Sequence, residues 1–402
     1  MILTVLGACS PKTVSVVQKN PPVVQEPVVK PKAEEPKKEV VTKPKEQPEI
    51  VISLLLPFEL DALDYKTASL KDLNKVNLAI DFYQGFKMAL DSAANQGNYR
   101  FKLQVFDAQD DVSKVTALAA KPNIKGSDLI IGPIFPGTIK AFSVYNKVMK
   151  TPMVSPLAAS GPELFNNPNL ITVNNTINQH VNKAVSFIKT QLKPKKVLLI
   201  RSGQAGEYKY AVPFKKGIDS LAKGLSFSEI GIKAVGYENV FKSLNPTGLN
   251  VVVLPSTERT FLLSIFKELE KLSSRYQIVV IGHPDWEKLQ FLDFSTLEKL
   301  NTYITSSYQI DYKSSKNLDF IKSYRNVFSL EPSEYAFKGF DIGYYFAKLM
   351  NDHGKGFLNV ITKQSFSGLH NDFKFVKDAK YGYINAALMI LKYQQGQLKR
   401  ID

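Results

Sequence analysis

Beyond residue 49 the apolar positions follow two alternating rhythms. "IVISLLLPF" (50–58) is a near-continuous aliphatic run broken at Pro57, the pattern of a strand buried on both faces. In "NLAIDFYQGFKMALDSA", Ala79, Phe82, Tyr83, Phe86, Ala89, Leu90 and Ala93 recur at steps of three and four, which predicts an amphipathic helix. In "FKLQVFDAQD", Phe101, Leu103 and Val105 alternate with Lys102 and Gln104, a strand with one wetter face. "SDLIIGPI" (127–134) predicts a short buried strand ending in Gly-Pro, followed by a helix in "GTIKAFSVYNKVM" and a strand and loop in "TPMVSPLAAS".

The same units return at "KKVLLIRSG" (195–203), "NVVVLPST" (250–257) and "QIVVIGHP" (277–284). Helical stretches such as "AVPFKKGIDSLAKG" and "RTFLLSIFKELEKL" lie between them. Strands alternating with helices build βαβ units and parallel sheets, and there are enough units for two sheets. The predicted class is α/β, with two doubly wound, Rossmann-like lobes.

The first 49 residues do not share these rhythms. From Ser10 to Glu49 the chain is Pro, Lys, Glu and Val with no aromatic residue and no Gly. Pro at this density prevents helix and sheet pairing. Such a segment suits an extended tether of ~3 Å per residue. Before it, "LGAC" ends an eight-residue apolar stretch that no Lys or Arg precedes. The tetrad resembles a bacterial lipobox, which makes residues 1–9 a signal-peptide remnant and Cys9 a lipidation site. The alternative is an incidental cysteine. A diacylglycerol and an N-acyl chain together exceed what stable anchoring needs.

Composition narrows the function. Net charge is +15, of which the tether supplies +2 through eight Lys and six Glu. The remaining basic residues are scattered rather than clustered with aromatics, so nucleic acid is not an expected partner. No run of ~18 apolar residues crosses a membrane, leaving the lipid anchor as the membrane contact. Cys9 is the single cysteine, so disulfides and thiolate metal sites are excluded. His180, His283, His353 and His370 show no metal-ligand spacing, and neither G-x-S-x-G nor a phosphate-binding G-x-x-x-x-G-K-[ST] occurs. The expectation is a protein that is not an enzyme and takes no cofactor or metal.

Seven stretches carry a family resemblance in order and spacing: "LLLPF", "FYQGFKMALDSAANQG", "FKLQVFDAQDD", "DLIIGPI", "TPMVSPLAASGPEL", "EPSEYAFKGFDIGYYFAKLM" and "YGYINAALMILKYQQGQLKR". Residues 51–402 resemble type I periplasmic binding proteins of the branched-chain amino-acid receptor kind. "GHPDWEKLQFLDFSTLEKLNTYITSSYQIDY" resembles a lipoprotein group sometimes fused to LysM modules, although no such module is visible. The resemblance implies two lobes joined by three crossing segments, near "LITVNN", "YITSSYQ" and Gly356. Lobe one would comprise 51–174 and 309–357, and lobe two 175–308 and 358–402. Ligand would bind in the cleft at the carboxyl ends of the strands.

The resemblance also implies site residues. Family members hold the substrate carboxylate with a hydroxyl in G-x-x-x-S, but "GPIFPGT" places Pro136 there, with Thr138 two positions on. Ser155, Ala158 and Ser160 in "SPLAASGPEL" match the second loop, although the serines serve equally as caps. Tyr208 (or Tyr210) would close over the ligand. Asp285 would hold an ammonium or else cap a helix, and Trp286 would form an apolar wall or simply pack. Asp341 is read as structural. The implied function is a lipid-anchored, periplasm-facing receptor that closes on a small polar, amino-acid-like ligand for an ABC-type importer or for sensing. The alternative is a cell-wall interaction lipoprotein, resembling activators of penicillin-binding proteins, whose partner would be a cell-wall synthase.

Overall fold

The computed structural model describes residues 47–402 apart from 62, 65 and 96. Cys9 and all of the expected tether before Gln47 lie outside the described residues, and Glu49 already opens the first strand. The chain builds β1 (Glu49–Leu56), β2 (Arg100–Asp107), β3 (Leu129–Ile131), β4 (Met153–Ser155) and β5 (Leu170–Thr172). It then crosses to a second lobe of β6 (Lys196–Arg201), β7 (Phe227–Gly231), β8 (Asn250–Leu254), β9 (Ile278–Gly282) and β10 (Tyr303–Ser306). It returns to lobe one for the Glu334–His353 helix, β11 (Ser365–Ser367), β12 (Asp372–Asp378) and β13 (Gly382–Asn385). A last crossing leads to β14 (Met389–Gln394) and β15 (Gln397–Arg400) in lobe two.

The first sheet has the order β11-β12-β13-β5-β4-β3-β1-β2 and the second β15-β14-β10-β9-β8-β6-β7. The strands from β1 to β5 and from β6 to β10 pair in parallel. Both sheets are two-faced because adjacent side chains point opposite ways. Leu54 packs with Phe82 and Phe346 on one face, and Leu55 with Val115 and Phe142 on the other. Leu198 and Leu199 divide lobe two in the same way, the first toward Phe266 and Trp286, the second toward Phe214.

The reading of residues 358–402 as lobe two needs correction. β13 runs parallel beside β5 through Tyr383↔Ile171 and Ile384↔Thr172, so β11–β13 complete the first sheet. The third crossing therefore falls at 386–388, not near Gly356.

Asn385 ties the crossings together. Its Oδ1 accepts from the Lys374 and Ala387 N–H groups, and its Nδ2 donates to the Val173 and Asp372 carbonyls. Its own carbonyl accepts from Asn175 Nδ2 and Gln179 Nε2. Gln179 also completes a capping box with Thr176, which starts the helix immediately after the first crossing.

In each sheet the strand order reverses beside the first strand, and the crevice at the carboxyl ends opens there. Gly132 makes this geometry possible after β3. Its φ is +91°, and a Cβ would stand 2.2 Å from the Leu55 carbonyl oxygen. The Leu70–Ala94 and Glu334–His353 helices approach as closely, since a Cβ on Gly339 would lie 2.1 Å from the Phe82 carbonyl oxygen. Gly339→Val is therefore expected to cost about 3 kcal/mol or more, beyond the usual range of core overpacking because the clash is with backbone. Gly137→Ala, with nothing within 4 Å of the added Cβ, is the control. Equal urea midpoints for the two variants would refute the close-contact account.

Candidate functional site

The turn after β3 brings Ile134, Phe135 and Pro136 to the crevice, and the loop after β4 brings Leu157 and Ala158. With Leu78 they form the apolar wall of a chamber of about 270 Å³. The polar wall comes from elsewhere: Asn174 on the first crossing, Lys288 from lobe two, Tyr308 on the second crossing, and Glu334 and Lys338 on the Glu334–His353 helix. His370, in the loop before β12, completes it.

Lys338 occupies a core position of its helix and is 5% exposed. Its Nζ donates to Asn174 Oδ1 at 2.6 Å. Burial pushes the ammonium down to about 8, with Glu334 one turn earlier pulling it back and Lys288 lowering it further. The Lys338 and Lys288 ammonium groups lie 5.4 and 5.9 Å from the centre of the Tyr308 ring. Two cations from opposite lobes thus converge on one aromatic face group at the chamber.

Tyr308 stacks on His370, with ring centres 4.4 Å apart and planes 7° from parallel. Burial and the two lysines hold the His370 imidazole down at about 3, so it is neutral. Asp341 sets this loop in place, its carboxylate accepting from the N–H groups of Leu369, His370 and Asn371, each at 2.8 Å. Burial pushes the Asp341 carboxyl up to about 7, and the three N–H donors oppose that rise. Asn371 Nδ2 donates to the Ser307 carbonyl and Gln309 N–H to the His370 carbonyl, zipping the second crossing to the loop. Beside the chamber, burial raises the Glu287 carboxyl to about 7 against a Ser306 hydroxyl and Lys288.

Of the residues expected at the site, Ala158 lines the chamber. Thr138 is buried and its hydroxyl donates to the Phe135 carbonyl at 3.0 Å, a helix-start contact rather than a ligand one. Ser155 ends β4 fully buried, its hydroxyl without a partner, and lies outside the chamber lining. Ser160, half-buried, also lies outside it. Tyr208 is 49% exposed and lies under the Arg201 guanidinium at 4.3 Å. Tyr210 is in the core beside Phe214. Asp285 is exposed at the start of a short turn, with its N–H donating to His283 Nδ1. Trp286 turns into the core, its Nε1 donating to the Ser256 carbonyl at 2.8 Å and its ring meeting Phe266 edge-on. Physically, the indole fills the space left open by Gly282, where a Cβ would collide with it at 2.2 Å.

The chamber-lining residues that sequence reasoning did not single out as a site are Asn174, Lys288, Tyr308, Glu334, Lys338 and His370. One signal was available. "EYAFKGFDIGYYF" places Lys338 four residues before buried Ile342 and seven before buried Tyr345, a cation on an apolar helix face.

A family model described as "Periplasmic binding protein" matches residues 77–397. The chain belongs to the periplasmic binding protein family. This binding protein has the two-lobed type I fold of the branched-chain amino-acid receptors, and its family acts outside the cytoplasm in binding solutes rather than transforming them. No curated protein sequence matches it. A putative branched-chain amino acid ABC transporter from Rhodospirillum rubrum is similar to it in structure, with TM-score 0.63 and 13% identity over 88% of this chain and 99% of that one. The ABC transporter substrate-binding protein from Desulfitobacterium hafniense in complex with Leu matches with TM-score 0.55 and 15% identity, over 88% and 100%. One from Sphaerobacter thermophilus gives 0.56 and 13%, over 88% and 96%. These likenesses establish the fold. Among the described residues no helix is long and apolar enough to cross a membrane, and no group of side chains could hold a metal ion.

Proposed function

We propose that this binding protein is a membrane-tethered receptor that closes its lobes on a small carboxylate, amino-acid-like in size, and delivers it to an ABC-type importer. One observation carries the reading: Lys338 of lobe one and Lys288 of lobe two face the same Tyr308 ring beside a chamber with an apolar wall. Two ammonium groups on opposite lobes repel as the cleft narrows. An anion between them reverses that repulsion, so its contacts are stronger in the closed state, as ligand-driven closure requires. The apolar wall selects the body of the ligand.

Calorimetry with branched-chain and aromatic carboxylates, beside their neutral amides, tests this. Carboxylates are expected to bind and amides to bind at least about tenfold more weakly, as loss of a charge-assisted contact predicts. Equal binding of the two series would overturn the anion assignment, and no binding at all would favour an interaction platform at the cell wall.

The anchor is part of the same proposal. Cys9 behind "LGA" and the Pro-rich run after it suit a lipid and a spacer. In a bacterial host fed alkyne fatty acid, the protein should be labelled and Cys9→Ser should not; equal labelling would end the lipoprotein reading.

A further inference from the structure

The chamber is not alone. A second, larger groove of about 920 Å³ shares Tyr308, Glu334 and His370 with it. The chamber lies near the lower end of ligand-site volumes, and the groove by itself reaches the upper end of the ~300–1,000 Å³ range. His370 and its stacked partner Tyr308 stand between the two spaces, one on each side. The groove is bounded by both lobes, by the 367–372 loop of the first and the β15 strand of the second.

His370 says what the ligand must offer there. Asn371 Nδ2 donates to the Ser307 carbonyl, which leaves Asn371 Oδ1 as an acceptor only. That oxygen lies 2.6 Å from His370 Nδ1, so Nδ1 carries the hydrogen. The neutral ring then leaves an unpaired lone pair at Nε2. This atom is buried with no partner, on a side chain only 2% exposed that lines both cavities. A buried acceptor without a donor destabilises the empty site, and a ligand N–H or O–H removes that cost.

The groove's own chemistry is mixed in sign. Lys313, Lys316 and Lys399 line it together with Asp311, Glu287 and Glu334. Such a lining suits a chain of amide dipoles with a charge at each end, and disfavours a polyanion.

We infer that the ligand is a short peptide or N-acylated amino acid bound by its carboxyl-terminal residue. Its carboxylate lies between Lys338 and Lys288, its terminal side chain against the apolar wall, its last amide N–H on His370 Nε2, and its remaining length in the groove. This rests on the receptor reading above and extends it from a single small acid to an extended one.

The test is calorimetry on the full chain with leucine, N-acetyl-leucine, Ala-Leu, Ala-Ala-Leu and the ester analogue 2-acetoxy-4-methylpentanoate, which differs from N-acetyl-leucine by loss of the N–H. Affinity is expected to rise about tenfold from leucine to N-acetyl-leucine and again to the tripeptide, and to fall about tenfold for the ester, the size of one neutral hydrogen bond. His370→Phe keeps a stacking ring and removes the acceptor, so amide and ester should bind it equally. If that variant fails to fold, the amide–ester comparison on the unaltered protein decides. Leucine binding as tightly as the tripeptide, or ester as tightly as amide, overturns the peptide assignment while the receptor reading stands. If no carboxylate of the set binds, both fall together.

Discussion

Replacing Asp341 with Ala is expected to lower the thermal midpoint by about 6 °C or more. The carboxylate accepts three backbone N–H bonds from Leu369, His370 and Asn371, all in a buried setting. Without it three donors lose their acceptor, at about 1 kcal/mol each by the most conservative figure and up to 3 by the least. A unit of 150–250 residues, the size of one lobe, shifts by about 2–4 °C per kcal/mol, which sets the lower bound. Asp341→Asn should lie between, because one oxygen remains and the amide adds donors that face donors. Binding should weaken too, since the loop that Asp341 holds carries His370. Differential scanning calorimetry of the three proteins decides, and a drop below about 2 °C would show that the loop holds without its clamp.

Lys338→Met is expected to weaken carboxylate binding by about 2–5 kcal/mol, the range for removing one partner of a buried charge-assisted contact. The fold should be unharmed or stabilised, because a thioether replaces an ammonium that burial already penalises. The pH dependence follows the same group. With its ammonium pushed down to about 8 from 10.5, Lys338 is charged below pH 8 and progressively neutral above. Affinity for carboxylates should therefore fall as pH rises, mildly through about pH 7 as Glu287 ionises beside Lys288 and about tenfold per unit above about pH 8. Stability moves the other way. Between pH 8 and 10.5 the unfolded chain binds the proton that the folded one has released, so the cost of burying this charge fades as pH rises. Isothermal titration and thermal scans across pH 7–10 give both slopes, and a Lys338→Met protein that binds as tightly as the parent removes Lys338 from the site.

How much of this was legible in the sequence depends on what each residue's role needed from the fold. β1, β8 and β9 could be read because strands buried on both faces need aliphatic side chains almost throughout, whatever their neighbours. The lobe assignment of β11–β13 could not, because it is set by β13 alone, whose pairing with β5 is a choice between two sheets, while β12 ("FKFVKD") merely follows β13. The site failed for a finer reason. The turn after β9 does lie at the crevice, as Asp285 and Trp286 were expected to show, yet Trp286 rotates inward over Gly282 and Lys288, two residues on, reaches the chamber. Spacing places a loop and leaves open which of its side chains turns inward. Lys338 was legible in principle, since a lone cation among core positions demands a partner or a ligand.

The knot at Asn385 has a mechanical consequence. Three separate straps between two bodies would allow swaying, twisting and sliding as well as opening. Here one asparagine and its carbonyl bind the first and third straps to each other, and the loop around Asn371 lashes the second to the sheet beside them. Bonds of this kind oppose sliding of one strap past another, which would make the set act as a single hinge pin rather than three independent tethers. Under the proposed receptor role, an importer would meet one outline of the closed protein each time.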